Sequence, residues 1–273
     1  MKLHVLGTGN GSALKCFNTC FCIENQGQYF LVDGGGGNQI SLQLQKANIK
    51  EKDIHDIFVS HNHLDHITGV KWVLRNVSYK NAGDYRVYGS DVTIKNLKNS
   101  FDEECGEYSR NNNLDQIKLI TVSDGEMRQI VGMNLTFFDI QAEDKQFGFS
   151  VNDNTIVFSG DEPLKESLLP KFPNSKWLLH EASCVASGLD AEGMEKLYKD
   201  GHCTVKDAAC NAAALNCQNL LMWHTRDANL ATRKCDFTRE AQQYYKGNIF
   251  VPDDLEVINI NTKLREVAQG TVR

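Results

Sequence analysis

His61-Asn62-His63-Leu64-Asp65-His66 puts three imidazoles and a carboxylate into six residues, directly after the apolar run Ile57-Phe58-Val59. Neutral imidazole nitrogen and carboxylate oxygen together suit zinc, and they also accept iron or manganese. Three of the chain's eight histidines fall in this stretch. Neither a polar surface loop nor core packing needs such a concentration. On a loop leaving a strand, His61 and His63 would point one way while Asp65 and His66 turn toward a second position. The expectation is two divalent cations sharing one cleft, the arrangement of two-metal hydrolysis.

Further candidates lie where other elements hand over to loops. A strand over Thr155–Ser159 delivers Ser159-Gly160-Asp161. An aspartate just past a strand end, beside a glycine, is placed to bridge two metals, or to serve as an ordinary turn residue. Trp177-Leu178-Leu179 carries His180-Glu181-Ala182-Ser183 at its end, and Leu220–Trp223 presents His224-Thr225-Arg226-Asp227. His202-Cys203-Thr204 precedes a helix running through Ala214, with Thr204 as its N-cap and Asp207 at N3. Asp33 heads a run of four glycines and can orient a neighbouring ligand; the glycines allow close backbone approach or form a plain flexible loop. Cys16, Cys20 and Cys22 form a CxxxCxC cluster, read as buried thiols rather than a zinc site because no fourth ligand is evident.

The elements that must position these groups are legible in outline. Cys20–Ile23 and Tyr29–Val32 read as strands joined at Asn25-Gln26-Gly27. Apolar spacing predicts a helix over Ile40–Ala47, and another behind the histidines from Ile67 to Leu74. Tyr85–Tyr88 is a short strand, and Asp91 is the expected N-cap of a helix through Phe101. Asp102–Asp115 reads as a loop able to cover the cleft. Strands are expected at Ile117–Val122, Met127–Val131, Leu135–Ile140 and Phe147–Val151, with a turn at Asn152-Asp153-Asn154. A helix near Thr238–Tyr245 and a strand pair around Ile249–Ile260 complete the pattern. Gly7, Gly9 and Ser12 miss the last glycine of a dinucleotide fingerprint, and no helix pattern follows them. Two strand-rich halves bracketed by helices imply two packed sheets with helices outside, in one domain over residues 1–273.

Bulk properties agree. A 273-residue chain with 41% hydrophobic and 23% charged residues is ordinary for a globular protein. No apolar run approaches the roughly 18–20 residues of a membrane span. Met1–Leu6 enters Gly7 without a signal-peptide core, so a cytoplasmic location is expected. Nine irregularly spaced cysteines fit a reducing compartment. A net charge of −6 argues against a broad nucleic-acid-binding face. It leaves a small phosphate substrate open, because bound cations would dominate the local field.

Seven stretches together carry a family resemblance: LGTGNG (6–11), VDGGGGNQ (32–39), HNHLDH (61–66), FSGD (158–161), LHEAS (179–183), HCT (202–204) and WHTRD (223–227). Over nearly its whole length the chain resembles the metallo-β-lactamase superfamily, and in particular its ribonuclease Z-like branch. The resemblance implies an α/β fold, a four-layer αββα sandwich with a di-metal site at one edge. His61 and His63 would hold the first metal and Asp65, His66 and His224 the second, with Asp161 bridging. The activity implied is hydrolysis by a metal-activated water, with Asp65 helping to orient it. Glu181 and His202 match residues that assist the leaving group and contact the scissile phosphate in ribonuclease Z.

Two departures narrow the expectation. The family places a third first-metal histidine just before a Gly-aromatic pair, matched here by Gly148-Phe149, yet no histidine stands between His66 and His180. Gln141 lies closest to that position as a weak or lost ligand, with Glu143 and Asp144 within register error. The long exosite arm of ribonuclease Z, which grips tRNA, would fall between Gln141 and Asp161, where only a hairpin fits. The outline therefore resembles the branch's small phosphodiesterases, among them the cyclic-nucleotide-degrading anti-Pycsar enzymes, and a homodimer is implied. The reading is a metal-dependent phosphodiesterase acting on a small phosphodiester such as a cyclic nucleotide. Its alternatives are a nuclease acting on RNA or DNA ends, a carboxyl-ester or lactone hydrolase, and a catalytically impaired ligand-binding member.

Overall fold

A computed structural model describes residues 1–79, 83–104 and 116–261. Sheet one holds β1 (Lys2–Gly7), β2 (Cys20–Asn25), β3 (Gln28–Val32), β4 (Ile54–Val59), β5 (Tyr85–Gly89) and β6 (Ile117–Thr121), in chain order. Sheet two runs in chain order through β7 (Met127–Ile130), β8 (Met133–Asp139), β9 (Phe147–Val151), β10 (Ile156–Phe158), β11 (Trp177–Glu181), β12 (Asn219–Trp223) and β13 (Asn248–Phe250). β14 (Val257–Asn259) returns to sheet one as the antiparallel neighbour of β1. The strand pair expected around Ile249–Ile260 is thus not a pair. β13 joins β12 in parallel and β14 joins β1, so the C-terminal segment closes an edge of each sheet.

Alternation along the strands builds the layers. Phe21, Ile23, Phe30, Val32 and Phe58 face the space between the sheets, where they meet Phe137, Phe149, Phe158 and Trp223. Their neighbours Cys20, Cys22, Leu31, Ile57 and Val59 face outward under α1 (Gln39–Lys46), α2 (Leu64–Tyr79) and α3 (Asp91–Glu104). On sheet two, Val157, Leu178, Leu220 and Met222 likewise face outward, among Ala208, Ala209, Ala212 and Phe237. Those last four lie on α5 (Val205–Ala214) and α6 (Arg233–Tyr244); α4 (Ala191–Lys199) precedes them. Period-two patterning thus makes three apolar interfaces and four layers. It also settles Cys20 and Cys22: both are fully buried in the outer interface, and no cysteine belongs to any candidate metal-ligand group among the described residues.

Each sheet has a parallel half, β3-β4-β5-β6 and β10-β11-β12-β13. Ligands in such sheets gather beyond the carboxyl ends of the strands. Those ends here deliver Asp33 (β3), His61 (β4), Asp161 (β10), Glu181 (β11) and His224 (β12).

Local departures have local causes. The expected loop around the histidine motif is only half a loop, since α2 starts at Leu64 and places Asp65 and His66 in its first turn. Ser90, not Asp91, caps α3: the Ser90 hydroxyl accepts from Thr93 N at 3.1 Å. α3 continues through Glu104, and the remainder of the expected loop, residues 105–115, lies outside the described residues. α6 begins at Arg233, ahead of the expected start. α4, not anticipated, is capped by Asp190 through Gly193 N, with Met194, Leu197 and Tyr198 at helical spacing. The Thr204–Asp207 capping box is present as read.

Candidate metal centre

Asp33 and His224 each follow the last residue of a strand, and both have left-handed backbones, φ 56° and 55°. Non-glycine residues adopt that region at a cost, and they do so where surrounding structure dictates it. For His224, the adjoining segments tie down: His224 N donates to Thr19 Oγ1 at 3.1 Å and Thr225 N to Thr8 O at 3.0 Å. The β1–β2 connection therefore carries His224 into the cleft.

Asp33 sets the chemistry of two histidines. Its Oδ1 accepts from Ser60 N at 2.8 Å, and its Oδ2 accepts from Ser60 Oγ at 2.7 Å and from His66 Nδ1 at 2.8 Å. A carboxylate oxygen accepts, so the hydrogen of a neutral, metal-binding His66 ring lies on Nδ1, and its Nε2 lone pair would face inward. Ser60 gives its own hydrogen to Asp33, so its oxygen accepts from His61 Nδ1 at 3.0 Å. His61 then also faces the cleft with a bare Nε2. Sequence reasoning had picked out Asp33 for such a role but missed Ser60, whose only signal is its place one residue before the motif.

The inward atoms converge. Asp161 Oδ2 lies 3.3 Å from His61 Nε2, 3.4 Å from His66 Nε2 and 3.6 Å from His224 Nε2. Asp65 Oδ2 lies 3.4 Å from both His66 Nε2 and His224 Nε2. Two candidate ligand groups result, His61/His66/Asp161 and Asp65/His66/His224, sharing one imidazole. Beside them is a third, Glu181/His202/His224. Glu181 is fully buried; its Oε1 accepts from Cys203 N and lies 3.5 Å from His202 Nδ1, and its Oε2 lies 3.7 Å from His224 Nδ1. His180, next in line, is core: Nδ1 bonds Glu181 O at 2.6 Å, and Nε2 accepts from Leu164 N at 3.2 Å.

Two expected ligands are placed differently. His63 is half-exposed, with its ring 4.4 Å from that of His61, and its Nε2 meets Asp144 Oδ2 at 2.9 Å. Gln141 is not brought to the other ligands. It is exposed, with its amide oxygen accepting from Ser167 Oγ at 2.7 Å. The backbone turns at Gln141 (φ 62°), and the chain then returns toward His63 three residues later. The side chain from this loop that reaches the histidine motif is therefore that of Asp144, through His63, and not that of Gln141.

Electrostatics match an ion-binding cage. Burial opposes charge on Asp65, but hydrogen bonds from His224 and His66 outweigh it and hold the carboxyl well below its usual range. Asp161 is depressed likewise, against burial, by His61 and His66. Burial also resists protonation of His66 and His224. For His66 the charge of Asp33 and the bond to Asp161 prevail, raising it well above its ordinary value. For His224 the nearby carboxylates of Asp65 and Glu181 prevail, raising it to about 9. Burial wins at His61, which is lowered. His202 is raised, first by its contact with Glu181 and against partial burial.

The donor set fits divalent cations on two further counts. His61 Nε2, Asp161 Oδ1, Glu181 Oε2 and His224 Nδ1 are buried without hydrogen-bond partners, a costly state unless something else satisfies them. Ligands about 2.0–2.1 Å from a tetrahedral zinc sit about 3.3 Å apart. The cleft distances of 3.3–3.6 Å match that edge.

Sandwich and relatives together place the chain in the metallo-β-lactamase superfamily, in its ribonuclease Z-like branch. More narrowly, the chain belongs to the family described as anti-Pycsar protein Apyc1, whose model matches residues 1–198. That match contains the ligands from His61 to Glu181; His202 and His224 lie beyond it. Among curated proteins, ribonuclease Z of Methanococcus maripaludis (strain C5) is 31% identical over 101 residues, 36% of this chain and 32% of that protein. The chain thus spans about a third of the length of such curated relatives. YhfI of Bacillus subtilis, a metallo-β-lactamase fold protein, superposes with a TM-score of 0.76 at 17% identity, covering 94% of this chain and 99% of YhfI. A diphosphatase from the PhnP family gives 0.71 at 16% identity, covering 94% and 96%. At these identities the two structures speak for the fold alone.

Proposed function

We propose that this protein is a zinc-dependent phosphodiesterase that hydrolyses a small phosphodiester, with a cyclic nucleotide as its substrate class. One observation carries the choice of phosphorus over a carboxyl carbon: at the mouth of the cage an imidazole stands against a buried carboxylate, which favours its protonated form. His202 is 27% exposed on its side chain, lies 3.5 Å from the buried Glu181, and has its ring 5.4 Å from that of His224. A proton donor so placed beside the reacting group is most useful where phosphoryl charge must be held and an alkoxide must be protonated. Family membership supports the same substrate class.

The chain's own residues divide the work. His61, His63 and Asp161 would hold one zinc, and Asp65, His66, His224 and Asp161 the other. Bound zinc supplies Lewis acidity to phosphoryl oxygen and lowers the pKa of water. Asp65, held ionised, orients the attacking water. His202 donates its Nε2 proton to the departing ribose oxygen, and Glu181 restrains the ring and favours its protonated form. Water adds to phosphorus and one P–O ester bond breaks, leaving a nucleoside monophosphate. No long arm intervenes between β8 and Asp161: a short loop and the β9–β10 hairpin fill the interval, an outline that suits a compact substrate.

The test is turnover of 3′,5′-cyclic nucleotides, bis-p-nitrophenyl phosphate, an RNA end and a carboxyl ester by the zinc-loaded chain. Cyclic nucleotide hydrolysis is expected, with His202→Asn lowering kcat about 10²-fold at unchanged metal content. Cleavage of only the RNA or the ester would overturn the assignment, and so would full zinc loading without turnover.

A further inference from the structure

His61 and His66 each have one ring nitrogen hydrogen-bonded to a partner outside the cage, leaving the other to face it. The partners are Ser60 at 3.0 Å and Asp33 at 2.8 Å. His63 is arranged the same way with its nitrogens exchanged, since its Nε2 lies 2.9 Å from Asp144 Oδ2. We infer that Asp144 is a positioning residue for His63, taking the Nε2 hydrogen so that Nδ1 is the metal-binding nitrogen of the first site. The inference rests on the metal-centre reading above.

Three observations support it. A carboxylate accepts and cannot donate, so the short contact places the hydrogen on Nε2 and the lone pair of the neutral ring on Nδ1. At 2.9 Å the pair is closer than the 3.3–3.6 Å edges within the cage and has the length of a hydrogen bond. Neither Asp144 nor His63 belongs to a candidate ligand group as the side chains stand, but the His63 ring is 4.4 Å from that of His61, next to the cage.

The loop that presents Asp144 is held at both ends by hydrogen bonds. Lys145 Nζ binds Asp139 Oδ2 at 2.8 Å, Ile140 N donates to Gln146 O at 3.2 Å, and Phe147 N donates to Ser60 O at 3.0 Å. That last bond ties the loop to the backbone beside His61. The first site then has two imidazoles and the shared Asp161 from the protein, with no third histidine in the chain between His66 and His180. Fewer protein ligands leave more of the metal open to substrate.

Asp144 is 71% exposed on its side chain, so replacing it should spare the fold. The experiment measures zinc stoichiometry and affinity, and the visible spectrum of the cobalt-loaded protein, for wild type, Asp144→Ala and Asp144→Asn. Partners of metal-bound histidines are worth about 10–100-fold in affinity; exposure places this one near tenfold. Asp144→Ala should weaken one of two zincs about tenfold. Asp144→Asn, whose amide oxygen still accepts, should restore most of it, and the spectrum at saturating cobalt should stay unchanged. A cobalt spectrum altered by Asp144→Ala would make Asp144 a ligand and overturn the inference. Equal affinity in all three proteins would make it a surface ion pair, with the same consequence. Wild-type chain that binds no zinc would bring down the metal-centre reading itself, and this inference with it.

Discussion

At the residue scale the centre depends on hydrogen placement. One buried carboxylate, Asp33, sets the tautomer of His66 directly and that of His61 through Ser60. Removing it leaves both rings free to present the wrong nitrogen, and leaves the Ser60 amide unpaired. Asp33→Ala is therefore expected to lower the affinity of both zincs, by about 10–100-fold each. Competition with a chromophoric chelator measures this directly. Loss of only one metal would show that Ser60 holds His61 unaided. Asp33 also has φ 56°, a conformation alanine tolerates poorly, so Asp33→Asn provides the milder control.

At the element scale, the question is how a helix is brought close enough for its first turn to supply ligands. Gly34 N donates to His66 O at 2.9 Å, and Gly69 N donates to Gly35 O at 2.8 Å. The glycine segment and α2 thus touch backbone to backbone. A Cβ added at Gly69 would lie 1.8 Å from Gly34 O, and one at Gly34 would lie 2.3 Å from Val70 N. Gly69→Ala must push α2 away from the end of β3, carrying Asp65 and His66 with it. A loss of about 1–3 kcal/mol in denaturant unfolding is expected from overpacking alone, accompanied by weaker metal binding. Unchanged unfolding and zinc affinity would mean that the helix can withdraw without moving the site.

For the whole molecule, protons and metals compete for one cage. His224 is raised to about 9 in the metal-free chain, above the ordinary histidine value of about 6.5. Its contribution to metal-free stability is fully present below about pH 6.5 and is lost as pH rises through about 9. Zinc requires the same nitrogen without its proton, so binding strengthens over that interval. Thermal midpoints measured with chelator and with excess zinc should therefore diverge as pH rises from about 6.5 to 9. A gap that narrows instead would contradict proton–metal exchange at this site. Among the described residues no helix is long and apolar enough to cross a membrane, so nothing in those helices complicates the measurement.

Much was determined by local sequence, where the physics is local. Short apolar runs such as Cys20–Ile23 and Tyr29–Val32 were legible as strands. The Asn25-Gln26-Gly27 turn and the Thr204–Asp207 box were legible because a turn and a cap involve only neighbouring residues. The histidine motif identified the metal-binding stretch, and strand-end positions pointed to Asp161, Glu181 and His224. Tertiary structure alone decided the rest. Where β13 and β14 pair depends on which sheet edges stand open, a property of the assembled layers. The first turn of α2 lies inside the motif because Gly34 and Gly69 meet across 35 residues of chain. Asp144 and not Gln141 meets the histidine motif, past a left-handed turn at Gln141, and three residues of register are invisible to spacing alone. Which nitrogen each imidazole turns inward follows from partners such as Asp33, distant in sequence. Hydrogen-bond direction at a buried site is a three-dimensional fact.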